Sequence, residues 1–174
     1  VNVGKIKAGD TILTLGTGGV SIFALQIAKL HGARVIATSS SDEKLARVRK
    51  LGADETINYK TIPEWDADVL RLTGGAGVDH VVEVGGAGTL PRSANATRVG
   101  GTISVIGVLA QGEGLNPLKV LMKTLQVQGV FVGSRQMFEA LTHAVTVARL
   151  KPVIDRTFAF GQLRDGRWWR RLLK

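Results

Sequence analysis

The stretch "LTLGTGGVSIFALQIAKLHGARVIATSSS", from Leu13 to Ser41, decides the fold of this chain. It begins as an apolar strand and passes through a glycine turn into an amphipathic helix. Gly32 ends that helix, and a second apolar strand follows over residues 34–38. A strand, a tight turn, a helix and another strand in this order are typical of one unit of a parallel sheet.

The same alternation continues along the chain. Segments such as "HVVEV" and "TISVIG" carry branched apolar residues on both faces, which is typical of strands buried on both sides in a parallel sheet. We expect the strands over residues 101–107 and 125–132 to be buried in this way. The pattern predicts an α/β fold: a three-layer, doubly wound Rossmann sheet of about six parallel strands. The expected strands are 11–15, 34–38, 55–59, 78–84, 101–107 and 125–132, and the expected helices are 20–31, 43–51, 64–72, 89–97 and 135–150.

The composition limits the class of protein. A hydrophobic fraction of 44% over 174 residues is enough for one domain with a buried core. The chain has no cysteine, and its three histidines are scattered, so we expect no zinc site in it. No apolar run reaches the roughly 18 residues that span a bilayer. We therefore expect a cytoplasmic protein with no membrane partner.

The charge is unevenly distributed. The formal net charge is +9, and a basic balance favours polyanionic partners. However, five basic residues lie in the last eleven positions, from Arg164 to Lys174. We interpret residues 161–174 as a basic C-terminal tail, and nucleic-acid binding through the basic surface is the less favoured alternative.

The glycine turn points to a dinucleotide. Gly16 permits the tight turn, and Gly18, one residue beyond Thr17, leaves room for the backbone to approach a pyrophosphate. The helix that begins near Gly19 offers free N–H groups and the positive end of its dipole to the phosphates. The flanking strand, helix and second strand make this a strong motif. The alternative is a glycine turn that serves packing alone.

The end of the second strand indicates which dinucleotide binds. An acidic residue is usual there, since it accepts hydrogen bonds from the ribose of NAD and repels the 2′-phosphate of NADP. This chain has Ser39 and Ser40 instead, with Lys44 one turn into the next helix. The pattern favours NADP, and NAD is the alternative. These serines can also cap the following helix, and the two interpretations are compatible.

Glu83 stands inside a buried strand pattern, "VVEVGG". A buried carboxylate must be paired or carry a raised pKa. We expect backbone amides or a helix N-terminus to satisfy it.

Five motifs resemble one known family: "AGDTILTLGTGGVSIFALQIAK", "GARVIATSSSDEKLARVRKLGADETINYK", "GVDHVVEVGGAGTL", "GGTISVIGVLAQG" and "GVFVGSRQMFEAL". Together they cover nearly everything from Ala8 to about Phe160. They resemble the cofactor-binding domain of the medium-chain dehydrogenase/reductase superfamily. The likeness is to its zinc-type alcohol dehydrogenase-like members and, next to them, to the quinone oxidoreductases.

The resemblance implies contacts for each part of NADP, all after the carboxyl ends of strands. The residues implied at the pyrophosphate are Gly18, Gly19 and Val20. Those implied around the adenosine ribose and its 2′-phosphate are Ser39, Ser40, Lys44 and Tyr59. Those implied beside the nicotinamide and its ribose are Gly85, Gly86, Gly107, Val108 and Leu109. Gly133, Ser134 and Arg135 would close the site. The resemblance implies no catalytic residue in this chain.

The resemblance also implies how the chain is organised. Members carry an N-terminal catalytic domain, which supplies zinc ligands where zinc is used and most substrate contacts. We expect residues 1–160 to be an NADP-binding domain without that part, and therefore inactive alone in alcohol or quinone chemistry. A homodimer through the edge of the sixth strand is implied as a further partner. A stand-alone nucleotide-binding or interaction module is the alternative function.

Overall fold

Six parallel strands form one sheet in a computed structural model, which describes residues 5–108, 110–154 and 156–165. The strand order is β3-β2-β1-β4-β5-β6, so the chain reverses direction across the sheet between β1 and β4. This is the doubly wound Rossmann topology that the sequence predicts. The strands are β1 (Thr11–Thr14), β2 (Arg34–Ser39), β3 (Glu55–Asn58), β4 (Val78–Glu83), β5 (Thr97–Val105) and β6 (Gln126–Gly129).

Helices connect the strands. They are α1 (Gly19–Leu30), α2 (Asp42–Lys50), α3 (Trp65–Leu72), α4 (Leu90–Ala96), α5 (Pro117–Met122) and α6 (Arg135–Val147), with a short 3₁₀ helix at Phe160–Asp165. α5 was not among the predicted helices, although two local signals mark its start. The Asn116 side chain accepts a hydrogen bond from the Leu118 N–H at 2.9 Å, and Pro117 occupies the first turn.

The core lies in two layers, one on each face of the sheet. Neighbouring residues of a strand enter opposite layers: Ile12 packs with residues of α1 and α2, whereas Leu13 packs with residues of α3 and α4. Both side chains are fully buried. This alternation follows from the period of two along a strand, and it explains why the strands are apolar on both faces.

The sixth strand differs from its prediction. We expected a buried strand over residues 125–132, but β6 covers only Gln126–Gly129 and all four residues are exposed. β6 pairs only with β5 among the described strands, so it is an edge of the sheet. In addition, α6 buries none of its residues. Without a helix packed closely over it, a strand at an edge stays accessible whatever its apolar content.

Smaller boundary differences have local causes. β5 begins at Thr97 rather than at residue 101, because α4 ends at Ala96 and the chain enters the sheet directly. α6 ends at Val147 rather than at residue 150. None of the helices in residues 5–108, 110–154 and 156–165 is long and apolar enough to cross a membrane.

His80 is a buried titratable group in the middle of β4. Its Nε2 lies 2.8 Å from the Ser104 hydroxyl on β5, and its Nδ1 has no hydrogen-bond partner among the described residues. Burial lowers the pKa of His80 to about 4, from 6.5. The folded protein therefore holds this imidazole neutral where the unfolded chain takes up a proton.

This difference predicts that stability falls on acidification. The contribution of His80 is fully present above pH 6.5, and it is lost as the pH falls towards about 4, because only the unfolded state binds the proton there. The loss should reach about 3 kcal/mol. Denaturant unfolding from pH 7.5 to 4 should show it, and His80→Gln should flatten the profile. His31→Gln, the control, should leave the slope in place; an equal slope in wild type and His80→Gln would contradict the assignment.

Candidate dinucleotide site

The glycine turn between β1 and α1 forms an open cradle. Gly16 has a φ of +71°, in the left-handed region that favours glycine, and its N–H donates to the Thr38 hydroxyl at 3.3 Å. Gly18 is extended, with φ −79° and ψ 178°. A Cβ built on Gly18 or Gly19 meets no atom within 4 Å, so the space in front of the turn is empty of protein. A group with the size of a pyrophosphate therefore has room to approach the backbone.

The start of α1 is suited to an anion. No side chain caps this end of the helix, and its first turn contains no acidic residue. Its first N–H groups and the positive end of its dipole are thus available to a ligand. Ser21 holds the helix in position, since its buried hydroxyl donates to the Leu15 carbonyl at 2.6 Å. This bond was not predicted from the sequence, although its signal is a small hydroxyl residue, Ser21, two positions after the last glycine of the turn.

The residues predicted to bind the adenosine lie where β2 and β3 end. Ser39 ends β2 and is only 3% exposed, while Ser40 is half-buried and Lys44 is exposed. The Tyr59 N–H donates to the Ser39 carbonyl at 3.0 Å, and the Tyr59 side chain is partly exposed. The structure therefore brings Ser39, Ser40 and Tyr59 to one corner of the sheet.

The cap of α2 separates the roles of the serines. Ser41 is the N-cap residue, and its hydroxyl accepts a hydrogen bond from the Lys44 N–H at 3.4 Å. Capping therefore does not occupy Ser39 or Ser40. One residue further on, the Asp42 carboxylate accepts a hydrogen bond from the Asn58 amide at 2.8 Å. This pair was not predicted, because Asp42 and Asn58 lie in different secondary-structure elements.

Glu83 organises the loop after β4. Its side chain is fully buried, and its Oε1 accepts hydrogen bonds from the N–H groups of Gly85 at 2.7 Å and Gly86 at 3.1 Å. The Thr89 hydroxyl donates to the same oxygen at 2.6 Å, and the Ser93 hydroxyl donates to Oε2. Loop amides and hydroxyls at the start of α4 therefore satisfy the carboxylate, as the sequence analysis expected.

The end of β5 packs tightly against this loop. The Ala110 N–H donates to the Gly85 carbonyl at 2.7 Å. A Cβ on Gly107 would lie 1.7 Å from the Val84 carbonyl oxygen, so only glycine fits there. Val108 is 88% exposed, and Leu109 lies outside the described residues. Gly85, Gly86, Gly107 and Val108 thus meet at one edge of the sheet.

The residues that follow β6 lie elsewhere. Ser134 caps α6 by accepting from the Met137 N–H at 3.2 Å, and Arg135 pairs with Glu139 at 2.7 Å. Gly133 and Ser134 line a groove of about 480 Å³ together with Ile27 and Leu30 in the second half of α1 and with His31, which follows it. The glycine turn is at the opposite end of α1. The structure therefore does not bring Gly133, Ser134 and Arg135 to the turn, and their role at the cofactor stays a prediction.

The glycine loops at this edge present backbone groups rather than a cluster of titratable side chains. Within the described ranges, no group of three or more His, Asp or Glu side chains could hold a metal ion. Glu83, the carboxylate nearest the glycine loops in sequence, has both oxygens engaged by donors. What the edge offers is backbone amides, hydroxyls and space.

Comparison with known proteins identifies the class. The family model for zinc-binding dehydrogenases matches residues 19–146. A zinc-type alcohol dehydrogenase-like protein of Schizosaccharomyces pombe is 45% identical over 167 residues, which cover 92% of this chain and 48% of that protein. The chain belongs to the zinc-binding dehydrogenase family of the medium-chain dehydrogenase/reductase superfamily, and the resemblance seen in the sequence is confirmed. It spans about half the length of the curated relatives it matches.

Solved structures agree with the fold. A candidate alcohol dehydrogenase of Sinorhizobium meliloti superposes with a TM-score of 0.87 at 44% identity, over 98% of this chain and 49% of that one. An NAD-dependent alcohol dehydrogenase superposes with a TM-score of 0.81 at 42% identity. The match covers 88% of this chain and 45% of that protein. A mycobacterial protein complexed with NADPH superposes with a TM-score of 0.76 at 25% identity. The match covers 89% of this chain and 50% of that protein. The neighbours thus include proteins of both dinucleotide types.

The open cradle predicts the effect of Gly18→Val. Its backbone angles suit any residue and a Cβ there meets nothing within 4 Å, so the variant should fold. The branched side chain would occupy the space in front of the amides, and NADPH affinity should fall by about a hundredfold or more. Circular dichroism would report the fold, and the fluorescence of bound NADPH would report affinity.

Gly161→Val is the matched control, since a Cβ at Gly161 also meets no atom within 4 Å. It should leave the affinity unchanged. A folded Gly18→Val variant that binds NADPH as tightly as the parent chain would refute the site.

Proposed function

We propose that this chain is the NADP(H)-binding domain of an alcohol dehydrogenase-like or quinone reductase-like oxidoreductase. The observation that carries the proposal is the uncapped N-terminus of α1 behind Gly18, open to an anion at the point where the strand order reverses. Open α/β sheets bind ligands at such a point. Membership of the zinc-binding dehydrogenase family supports the same function.

The choice of NADP rests on the end of β2. Ser39 and Ser40 place no negative charge there, and the ammonium of Lys44 is in no ion pair among the described residues. A 2′-phosphate would meet the hydroxyl donors of Ser39 and Ser40 and the exposed ammonium of Lys44. Tyr59, partly exposed beside Ser39, would supply an aromatic surface to the adenosine.

The bound cofactor would supply hydride transfer at its nicotinamide ring. The chain's own residues would bind and orient it. The amides at Gly18 and Gly19 would hold the pyrophosphate, while Gly85, Gly86, Gly107 and Val108 would border the other ribose and the nicotinamide. The hydrogen bonds from Gly85 and Gly86 to Glu83 hold this loop in place, so the nicotinamide would bind beside an ordered loop.

We assign this function to a domain over residues 1–160, with residues 161–174 as a basic tail. Substrate contacts and any zinc would come from a catalytic domain, as the resemblance implies. The exposed apolar side chains around β6 and α6 support a contact with further polypeptide; they include Phe131 at 97% and Phe138 at 68% exposure. The accessible edge of β6 is where a second copy of the chain would pair.

Ser39→Asp should reverse the cofactor preference. We expect the parent chain to bind NADPH more tightly than NADH. A carboxylate at position 39 would repel the 2′-phosphate and shift the ratio of the two dissociation constants by about tenfold or more towards NADH. Fluorescence titrations with both cofactors measure this ratio, and circular dichroism checks the fold because residue 39 is buried.

The control for added charge is Thr142→Asp, on the exposed face of α6. It should leave the ratio near that of the parent. Equal affinities of the parent chain for NADPH and NADH would remove the basis of the NADP assignment.

The isolated chain should show no turnover. Hydride transfer needs the substrate held about 3–3.5 Å from the nicotinamide and its developing oxyanion stabilised, and we find no residues in the described site for that task. The assay follows the loss of reduced nicotinamide absorbance with a panel of aldehydes, ketones and quinones, with and without added zinc. A steady protein-dependent rate with any of them would show that this chain is a complete enzyme.

A further inference from the structure

The Asn58 side chain links the end of β3 to the start of α2. Its Nδ2 donates to Asp42 Oδ1 at 2.8 Å, and its Oδ1 accepts from the Lys60 N–H at 3.1 Å. Because both ends of the amide are engaged, its orientation is fixed. A second bond, from the Tyr59 N–H to the Ser39 carbonyl, ties the same two segments together. The turn between β2 and α2 is therefore anchored to β3 by one backbone bond and one side-chain bond.

The first turn of α2 contains two carboxylates with different partners. Glu43 pairs with Arg47 at 2.6 Å. Asp42 is in no ion pair among the described residues, and its side-chain partner is the neutral amide of Asn58. No cation among the described residues therefore offsets the Asp42 carboxylate, which is only three residues from Ser39 in the sequence. A 2′-phosphate bound beside Ser39 and Ser40 would be exposed to that charge.

We propose that Asn58 is a positioning residue that sets the choice between NADPH and NADH by holding the Asp42 carboxylate at the end of β3. This inference rests on the proposed function. With the carboxylate held there, Ser39, Ser40 and Lys44 are left to meet the 2′-phosphate. Without the amide, the Asp42 side chain is free to turn towards the adenosine ribose. There it repels the phosphate of NADPH and accepts hydrogen bonds from the ribose hydroxyls of NADH.

The test is the ratio of the dissociation constants for NADH and NADPH, measured by titration at low and high salt. Asn58→Ala should lower this ratio about fivefold at low salt relative to the parent chain. The difference from the parent should shrink at high salt, since screening weakens a repulsion between exposed charges. A purely structural role of Asn58 would not produce this salt dependence.

Two further variants isolate the carboxylate. Thr61→Ala is the matched control: its hydroxyl donates to the Asn58 backbone carbonyl at 3.1 Å and does not contact Asp42, so the ratio should stay at the parent value. In an Asp42→Asn background, adding Asn58→Ala should leave the ratio unchanged, because no charge remains to be released.

The inference is overturned if Asn58→Ala leaves the ratio unchanged, or if the same fall persists with Asp42→Asn or at high salt. If one of these results is obtained and the parent chain still prefers NADPH, the inference about Asn58 fails but the proposed function stands. A parent chain that binds neither dinucleotide overturns the proposed function and this inference together.

Discussion

The buried carboxylate of Glu83 is the constraint on which the proposed nicotinamide side of the site depends. An unpaired charge in the interior costs several kcal/mol, so the chain around it must present donors. Two loop amides and two hydroxyls do so. Satisfying the charge fixes the loop after β4, and that loop in turn accepts the Ala110 N–H from the segment after β5. The tight approach of Gly107 to Val84 follows, since the two strand ends can no longer separate.

The parts of the fold that the sequence predicts are those coded locally. The turn at Gly16 and Gly18, the stop at Gly32 and the two-faced apolar strands each need only a few neighbouring residues to be recognised. The preference for right-handed crossovers in βαβ units then limits how these strands can be arranged, without fixing their order. The need of Glu83 for donors was also predictable, because a carboxylate within an apolar strand pattern leaves few alternatives.

What the sequence did not predict depends on which elements meet in space. Asp42 and Asn58 are 16 residues apart, and nothing local marks them as a pair. The burial of a strand is likewise set by its neighbours: the apolar residues within 125–132 suggested an interior strand, yet β6 lies at an edge of the sheet. The position of Gly133 and Ser134 beside the second half of α1 depends on how α6 returns to the sheet, which no motif specifies.

Burial is unequal along the carboxyl edge of the sheet. At the adenosine end, Ser39 is buried, the turn before α2 is anchored to β3, and Leu45 and Val48 of α2 pack into the core. At the nicotinamide end, Val108 is 88% exposed, and neither β6 nor α6 buries a residue. Rigid, preformed contacts lose less entropy on binding than exposed, unsupported ones. The proposed adenosine and pyrophosphate contacts should therefore contribute more to cofactor affinity than the exposed Val108, whereas the loop held by Glu83 is the ordered part of the proposed nicotinamide side.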